Sequence, residues 1–285
     1  MGARFAYVDA PGGQLHYAED GGRGADSPVI LLLHQCPRSL DEFRELMPLL
    51  ATDHRVIAMD MPGYGQSHGL PAPQTIEDYA RGALDLLDAL AVPRATVLGH
   101  HTGGAVALEV AAAAPDRVEA VVLSSAPWAD EAFRNAPRTG PGVDDADRDD
   151  DGGHLTTWWA QRAPHYPAPV SPLLDRLVRD ALAPGVDPRE GHLACRRYAM
   201  ERRAPEVRAP ALVLTGDADP FALPALDPLA DALTGAASVS RAVIPGGTLA
   251  LMERHAAEVA GEVRRFLGAR RGCDGLDGAV RTGRA

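Results

Sequence analysis

The stretch Ala95-Thr-Val-Leu-Gly-His-His-Thr-Gly-Gly104, followed by Ala105-Val-Ala-Leu-Glu-Val-Ala-Ala-Ala-Ala114, constrains this chain more than any other. A short apolar run, Thr96 to Leu98, meets glycines, and a small-residue segment of helical character starts at once. That order is strand, sharp turn, helix. In the spacing Gly99-x-His101-x-Gly103 the central side chain is lifted above a sheet on a strained turn. Glycines flank it because a Cβ there would collide with the neighbouring strand and helix. His101 holds the raised position.

The rest of the chain repeats the same alternation. Phe5–Val8 and Gln14–Tyr17 flank Pro-Gly-Gly and read as a hairpin. Val29–Leu33 is a continuous apolar run, the mark of a strand covered on both faces. Leu40–Leu50 carries Phe43, Leu46, Leu49 and Leu50 at helical spacing. Arg55–Asp60 is the next strand, Gln74–Leu90 an amphipathic helix, and Ala120–Ser124 a strand. Such alternation implies right-handed crossovers and an α/β, doubly wound, mostly parallel sheet. It stops near Ala126. From there to Pro210 the chain is Pro-rich, with helical patches at Leu155–Gln161, Pro172–Ala183 and Gly191–Arg203. It resumes with strand Ala211–Thr215, helix Leu223–Leu233, strand Ser238–Ile244 and helix Met252–Leu267. The expected organisation is a core of residues 1–125 and 211–269, with a helical lid, 126–210, inserted after the sixth strand. The tail 270–285, with Gly-Cys-Asp-Gly and Arg-Thr-Gly-Arg, is expected to be disordered.

Composition excludes several classes of function. The 285 residues are 46% hydrophobic, enough for a large core, and carry a formal charge of −11 with no basic stripe, which argues against nucleic acid. Cys36, Cys195 and Cys273 lie far apart, so neither a disulfide scaffold nor a structural zinc site is expected. The N-terminus has no apolar signal core and no run of ~18 apolar residues occurs, so the expectation is a cytoplasmic protein without membrane contact. Asp147-x-Asp149-x-Asp151-Gly152 imitates the start of a calcium loop, but Trp158 stands where the closing acid belongs, and the run Asp144–Gly152 reads as a solvated loop. Adjacent His100 and His101 diverge on a turn, and no nearby acid or Cys completes a ligand set, so no metal and no other cofactor is expected. The oligomeric state stays open, a homodimer among the options.

With these residues on the page, the chain resembles the α/β-hydrolase superfamily from about Phe5 to Leu267. Leu33-His34-Gln35-Cys36-Pro37 stands where the family has its oxyanion loop, His-Gly-x-Pro. Asp60-Met-Pro-Gly-Tyr-Gly-Gln-Ser67 is similar to the family's Asp-x-x-Gly-x-Gly-x-Ser, and Gly99–Gly103 to its nucleophile elbow. Leu212-Val-Leu-Thr-Gly-Asp-Ala-Asp219-Pro220 resembles the segment ending in the catalytic acid, which places that acid at Asp219. The family's His follows a Pro-Gly-x-Gly turn, and here Pro245-Gly-Gly-Thr248 places Thr248 on it. The pattern thus departs twice: His101 replaces the nucleophile and Thr248 the base.

Three readings follow. In the first, His101 is a general base or acid acting on substrate or water, since an imidazole pKa near ~6.5 suits proton transfer at neutral pH. Thr248, linked to Asp219, would orient the ring, and the backbone N–H groups of Cys36 and Thr102 would stabilise an oxyanion or enolate. Such a site suits carbon–carbon or carbon–oxygen cleavage, decarboxylation, isomerisation or cyclisation without an acyl-enzyme. In the second, the chain is a hydrolase of esters or related bonds with His101, Thr248 and Asp219 as a rearranged catalytic set. In the third, it is an inactive relative that only binds ligand.

The neighbours fill in the pocket. His100 is expected to point away beneath the turn, in packing or hydrogen bonding. His34 is expected to bond nearby backbone, and Gln35 to narrow the entrance; both, with Trp128, Trp158, Trp159 and Tyr198, are the candidate substrate pocket. Only 5% of the chain is aromatic, so two adjacent tryptophans in the insertion point to an apolar lid and an apolar small-molecule substrate bearing a carbonyl.

Overall fold

Eight strands pair through their backbones into one sheet, whose central strands Val29–Leu33, Ala95–His100 and Ala211–Gly216 are largely apolar and buried on both faces. The computed structural model describes residues 2–22, 24, 27–137 and 142–279, with side chains as far as Ala269. The strands are β1 (Arg4–Ala10), β2 (Gly13–Gly21), β3 (Val29–Leu33), β4 (Arg55–Met59), β5 (Ala95–His100), β6 (Val118–Ser124), β7 (Ala211–Gly216) and β8 (Val239–Ile244). They lie in the order β1-β2-β4-β3-β5-β6-β7-β8. Pairing is antiparallel at β1/β2 and β2/β4 and parallel in the other pairs. The fold is the doubly wound α/β sheet that the alternation implies.

Helices α1 (Met47–Leu50), α2 (Ile76–Ala89) and α3 (Thr102–Ala113) connect β3 through β6. Between β6 and β7 lie α4 (Glu131–Asn135), α5 (Gly153–Arg162), α6 (Ser171–Ala181), α7 (Glu190–Arg197) and α8 (Met200–Arg203). After β7 come α9 (Leu226–Ala232) and, past β8, α10 (Leu251–Arg254) and α11 (Ala256–Ala279). The stretch 270–285 thus begins within α11, and residues 280–285 lie outside the described residues.

Side chains alternate across the strands, which splits the core in two. Leu31, Leu33 and Val97 meet Ile76, Tyr79, Val106 and Val110 of α2 and α3 on one face. Ile30, Leu32 and Leu98 meet Leu50, Leu251, Val259 and Val263 on the other. Each side chain so buried is worth about 1.5–3 kcal/mol relative to exposure. A third, smaller cluster joins Tyr166, Leu173, Leu174 and Leu177 to Leu249 and Ala250, and so seats α6 on the loop after β8.

Four helices differ from the sequence reading, among them Leu223–Leu233, which opens with a 3-10 turn, Leu223–Ala225, before α9. Leu40–Leu50 is not one helix but a 3-10 turn, Leu40–Phe43, followed by α1. Pro48 explains the break: it has no N–H to continue the ladder and fits only in a first turn. Gly191–Arg203 divides at Tyr198, whose backbone is extended at φ −78°, ψ 131°. The last helix divides at His255, at φ −121°. Among the described residues no helix is long and apolar enough to cross a membrane.

Candidate active site

The order of the strands reverses direction at β3, with β4 on one side and β5 on the other. In open α/β sheets such a switch point leaves a crevice beyond the strands' C-terminal ends. The loops after β3, β5 and β7 carry His34–Cys36, His101 and Asp219 to that edge.

His101 follows β5 at φ 48°, ψ −115°, a conformation that costs a non-glycine residue on the order of 1–3 kcal/mol. Its backbone is over-determined: its N–H donates to Ser124 (2.9 Å) and its carbonyl accepts from Gly104 (2.8 Å). A Cβ on Gly99 would overlap the carbonyl of Gly103, and one on Gly103 the carbonyl of Leu33. Both glycines are therefore required by close approach. The His101 side chain is 16% exposed, and its Nε2 lies 3.0 Å from Oδ2 of Asp219. The approach is close but off-line, short of a well-directed hydrogen bond.

Asp219 is fully buried, and its Oδ1 accepts the backbone N–H groups of Phe221 and Ala222, both at 3.1 Å. Burial is the largest influence and opposes its ionisation, but the adjoining imidazole of His101 and the other lowering groups, the Ala222 N–H among them, together outweigh it and hold the carboxyl down to about 2. Asp219 is thus an anion across the neutral range.

His100 turns the other way, as expected. Its Nε2 lies 3.3 Å from the carbonyl of Leu249, which can only accept, so Nε2 carries the proton; Nδ1 accepts from the Ser124 hydroxyl at 3.1 Å. Burial, then the neighbouring His101, pushes its pKa down to about 3, so this ring stays neutral. It stands edge-on beneath His101, with centroids 4.6 Å apart.

Thr248 is not the link between His101 and Asp219, which meet directly. Its hydroxyl accepts the N–H of Ala250 at 3.3 Å. Thr248 instead lines a cavity of about 280 Å³ with Asp217 and Pro220, opposite His165 and Tyr166 of the segment after α5.

The other expected residues are placed as follows. The N–H groups of Cys36 and Thr102 donate to no protein acceptor among the described residues. Burial pushes the Cys36 thiol far up, so it is held neutral. His34 is buried; Met61 donates to its Nε2 (3.0 Å), so Nδ1 carries the proton and donates to the Gln35 carbonyl (2.8 Å). Gln35 turns its amide to Glu42, and Tyr198 donates its hydroxyl to Glu109 at 2.8 Å. Both side chains are therefore engaged away from His101. Trp158 is buried, edge-on to His154, and Trp159 packs beside the Leu173 cluster. Trp128 is half-buried and donates its indole N–H to Asp130 at 3.0 Å.

Two buried arginines escape sequence reasoning. Arg38 donates through Nε to Asp180 (3.0 Å) and through Nη1 to Glu253 (2.5 Å), joining the loop after β3 to α6 and α10. Arg162 holds Asp144 in a two-pronged ion pair and reaches the Cys36 carbonyl at 3.5 Å. Asp144, at φ 64°, is buried, so the acidic run is solvated only beyond it; Arg162 and then His192, 2.9 Å away, together overcome burial and hold its carboxyl at about 2. No local signal marks these pairs, since Arg38 and its partners are 142 and 215 residues apart. Among the described residues no three His, Cys, Asp or Glu side chains gather to hold a metal ion.

Comparisons with known proteins agree on the fold. In solved structures, the enol-lactonase from Burkholderia xenovorans LB400 superposes with a TM-score of 0.74 at 23% identity, covering 92% of this chain and 100% of that one. Bifunctional epoxide hydrolase 2 of Mus musculus is 36% identical over 124 residues, 41% of this chain and 21% of that protein. The dihydrolipoyllysine-residue acetyltransferase component of the acetoin cleaving system of Cupriavidus necator is 35% identical over 123 residues, 43% of this chain and 32% of that protein. The chain thus spans a third or less of the length of these two curated relatives. The model of the alpha/beta hydrolase fold family matches residues 28–226, and the chain belongs to that family.

Proposed function

We propose that this chain is a small-molecule enzyme in which His101 is a general base and acid on an apolar carbonyl substrate, with no acyl-enzyme. One observation carries the reading: a strained turn holds an imidazole 3.0 Å from a buried carboxylate. Asp219 keeps the proton on Nε2 of neutral His101, which leaves the lone pair on Nδ1, and stabilises the imidazolium once Nδ1 has taken a proton. Nδ1 takes a proton from carbon next to the carbonyl, or from water, and returns it at a later step. The free N–H groups of Cys36 and Thr102 receive the enolate oxygen. The helices between β6 and β7 form the lid. The reactions open to such a site are carbon–carbon or carbon–oxygen cleavage, decarboxylation, isomerisation and cyclisation.

A hydrolytic reading is favoured by the activities for which the similar epoxide hydrolase and enol-lactonase are named. It gives His101 the activation of water, or of the Thr248 hydroxyl, for attack on an ester or related bond. A third reading, ligand binding without turnover, leaves the strained imidazole–carboxylate pair without a role.

The first reading is tested by deuterium uptake from D2O next to the carbonyl of the aryl ketone deoxybenzoin, followed by NMR. Wild type is expected to exchange, and His101→Ala to lose about 100-fold or more. Exchange unchanged in His101→Ala would rule this role out.

A further inference from the structure

The segment after α5 brings a second imidazole to the same neighbourhood. His165 is half-buried and lines the cavity of about 280 Å³ that Thr248 also lines. Its ring stands edge-on to Phe221, centroids 4.8 Å apart, and the backbone N–H of Phe221 donates to Asp219. One residue thus bridges His165 and the carboxylate beside His101. His34 and His100, the structural imidazoles of this region, have both ring nitrogens engaged. Among the described residues, His165 has neither nitrogen hydrogen-bonded to protein.

We infer that His165 is a second catalytic residue, exchanging a proton with the carbonyl oxygen of a substrate whose carbon acid faces His101. This rests on the His101 reading above. The core lacks an imidazole at position 248, and the lid supplies one across the cavity from it. Burial, and then the charge of Arg162, lower the pKa of His165, so at neutral pH it offers one N–H and one lone pair. In the forward step Nδ1 of His101 takes the carbon-bound proton while the N–H of His165 passes its proton to the oxygen, giving the enol. In the return step the enol O–H proton goes back to His165, and His101 reprotonates carbon. The substrate stays neutral while His101 becomes cationic and His165 anionic; the return step restores both rings, and no co-reactant is consumed.

The test uses an aryl ketone that reports contact whether or not the protein turns over. With 2-bromoacetophenone an imidazole nitrogen forms a bond to the CH2 carbon, bromide leaves, and the ring proton passes to buffer. Peptide mass mapping at about pH 6 is expected to find His165 alkylated several-fold faster than N-acetylhistidine in the same tube. The same preference is expected in His101→Ala. In the deoxybenzoin assay His165→Gln is expected to slow exchange by about 100-fold, and added imidazole to restore part of the loss in His165→Ala, which a structural defect would not allow. His165 labelled no faster than N-acetylhistidine, or His165→Gln exchanging with an unchanged rate and pH profile, would overturn the inference alone. Fast labelling with no exchange by wild type would sink the His101 reading, and this proton-transfer role with it.

Discussion

At the scale of residues, two neighbouring histidines have opposite assignments because their surroundings differ. His100 is enclosed and neutral, with both nitrogens engaged; His101 is raised against Asp219 and keeps Nδ1 free of protein partners among the described residues. Each leaves a signature in stability against pH. His100 has a folded pKa near 3, below the unfolded imidazole value, so its contribution is complete above ~6.5 and declines as pH falls from there toward 3. Asp219, held near 2, contributes fully above ~4 and loses on the order of 2 kcal/mol as pH falls toward 2. Urea unfolding over a pH series should therefore show His100→Asn flattening the upper window and Asp219→Asn the lower. The same slope in wild type and both variants would contradict these assignments. Intact mass after exposure to p-nitrophenyl butyrate tests the hydrolytic alternative at the same scale. No acyl adduct is expected on wild type, and an adduct lost in Thr248→Ala would make Thr248 a nucleophile. Position 101 was singled out by its glycine spacing, a local signal, and position 219 only by the resemblance of Leu212–Pro220 to the family's acid segment. The 3.0 Å contact between them was not legible, because nothing local in the sequence says which way each ring or carboxylate turns.

At the scale of elements, the central strands β3 to β7 were legible within two residues, since an apolar run covered on both faces has few other uses. The hairpin was read too short, β1 as four residues of seven and β2 as four of nine. Helix breaks were not legible. Pro48 gave a signal for the end of the 3-10 turn, but Tyr198 breaks from helix as its ring packs into the core and its hydroxyl reaches Glu109 on α3. The ion pairs of Arg38 with Asp180 and Glu253, and of Arg162 with Asp144, were also hidden, because their partners are adjacent only after folding. Arg162→Met leaves the buried Asp144 anion with only the part-exposed His192, 2.9 Å away, and removing one partner of a buried pair costs about 3–5 kcal/mol. Urea unfolding should show that loss, and Arg162→Met with Asp144→Leu should recover much of it. A cost below ~1 kcal/mol would mean that the pair is solvated, as surface pairs are.

At the scale of the molecule, the sheet does one thing for the site: it brings three loops, distant in sequence, to one edge. The parallel order from β4 to β8 places the ends of β3, β5 and β7 side by side with β6 between the last two. That much follows from alternation and crossover handedness. The position of His165 does not, since it depends on how the irregular chain between β6 and β7 folds back over Thr248. The central claim is that His101 moves a proton and forms no covalent bond to substrate. The rate of deuterium uptake by deoxybenzoin against pH, in wild type, His101→Ala and Asp219→Asn, tests it most directly. The account predicts a wild-type rate well above that of buffer, a fall to the buffer rate in His101→Ala, and an intermediate rate in Asp219→Asn. A wild-type rate no faster than buffer, or one that survives His101→Ala, would contradict it.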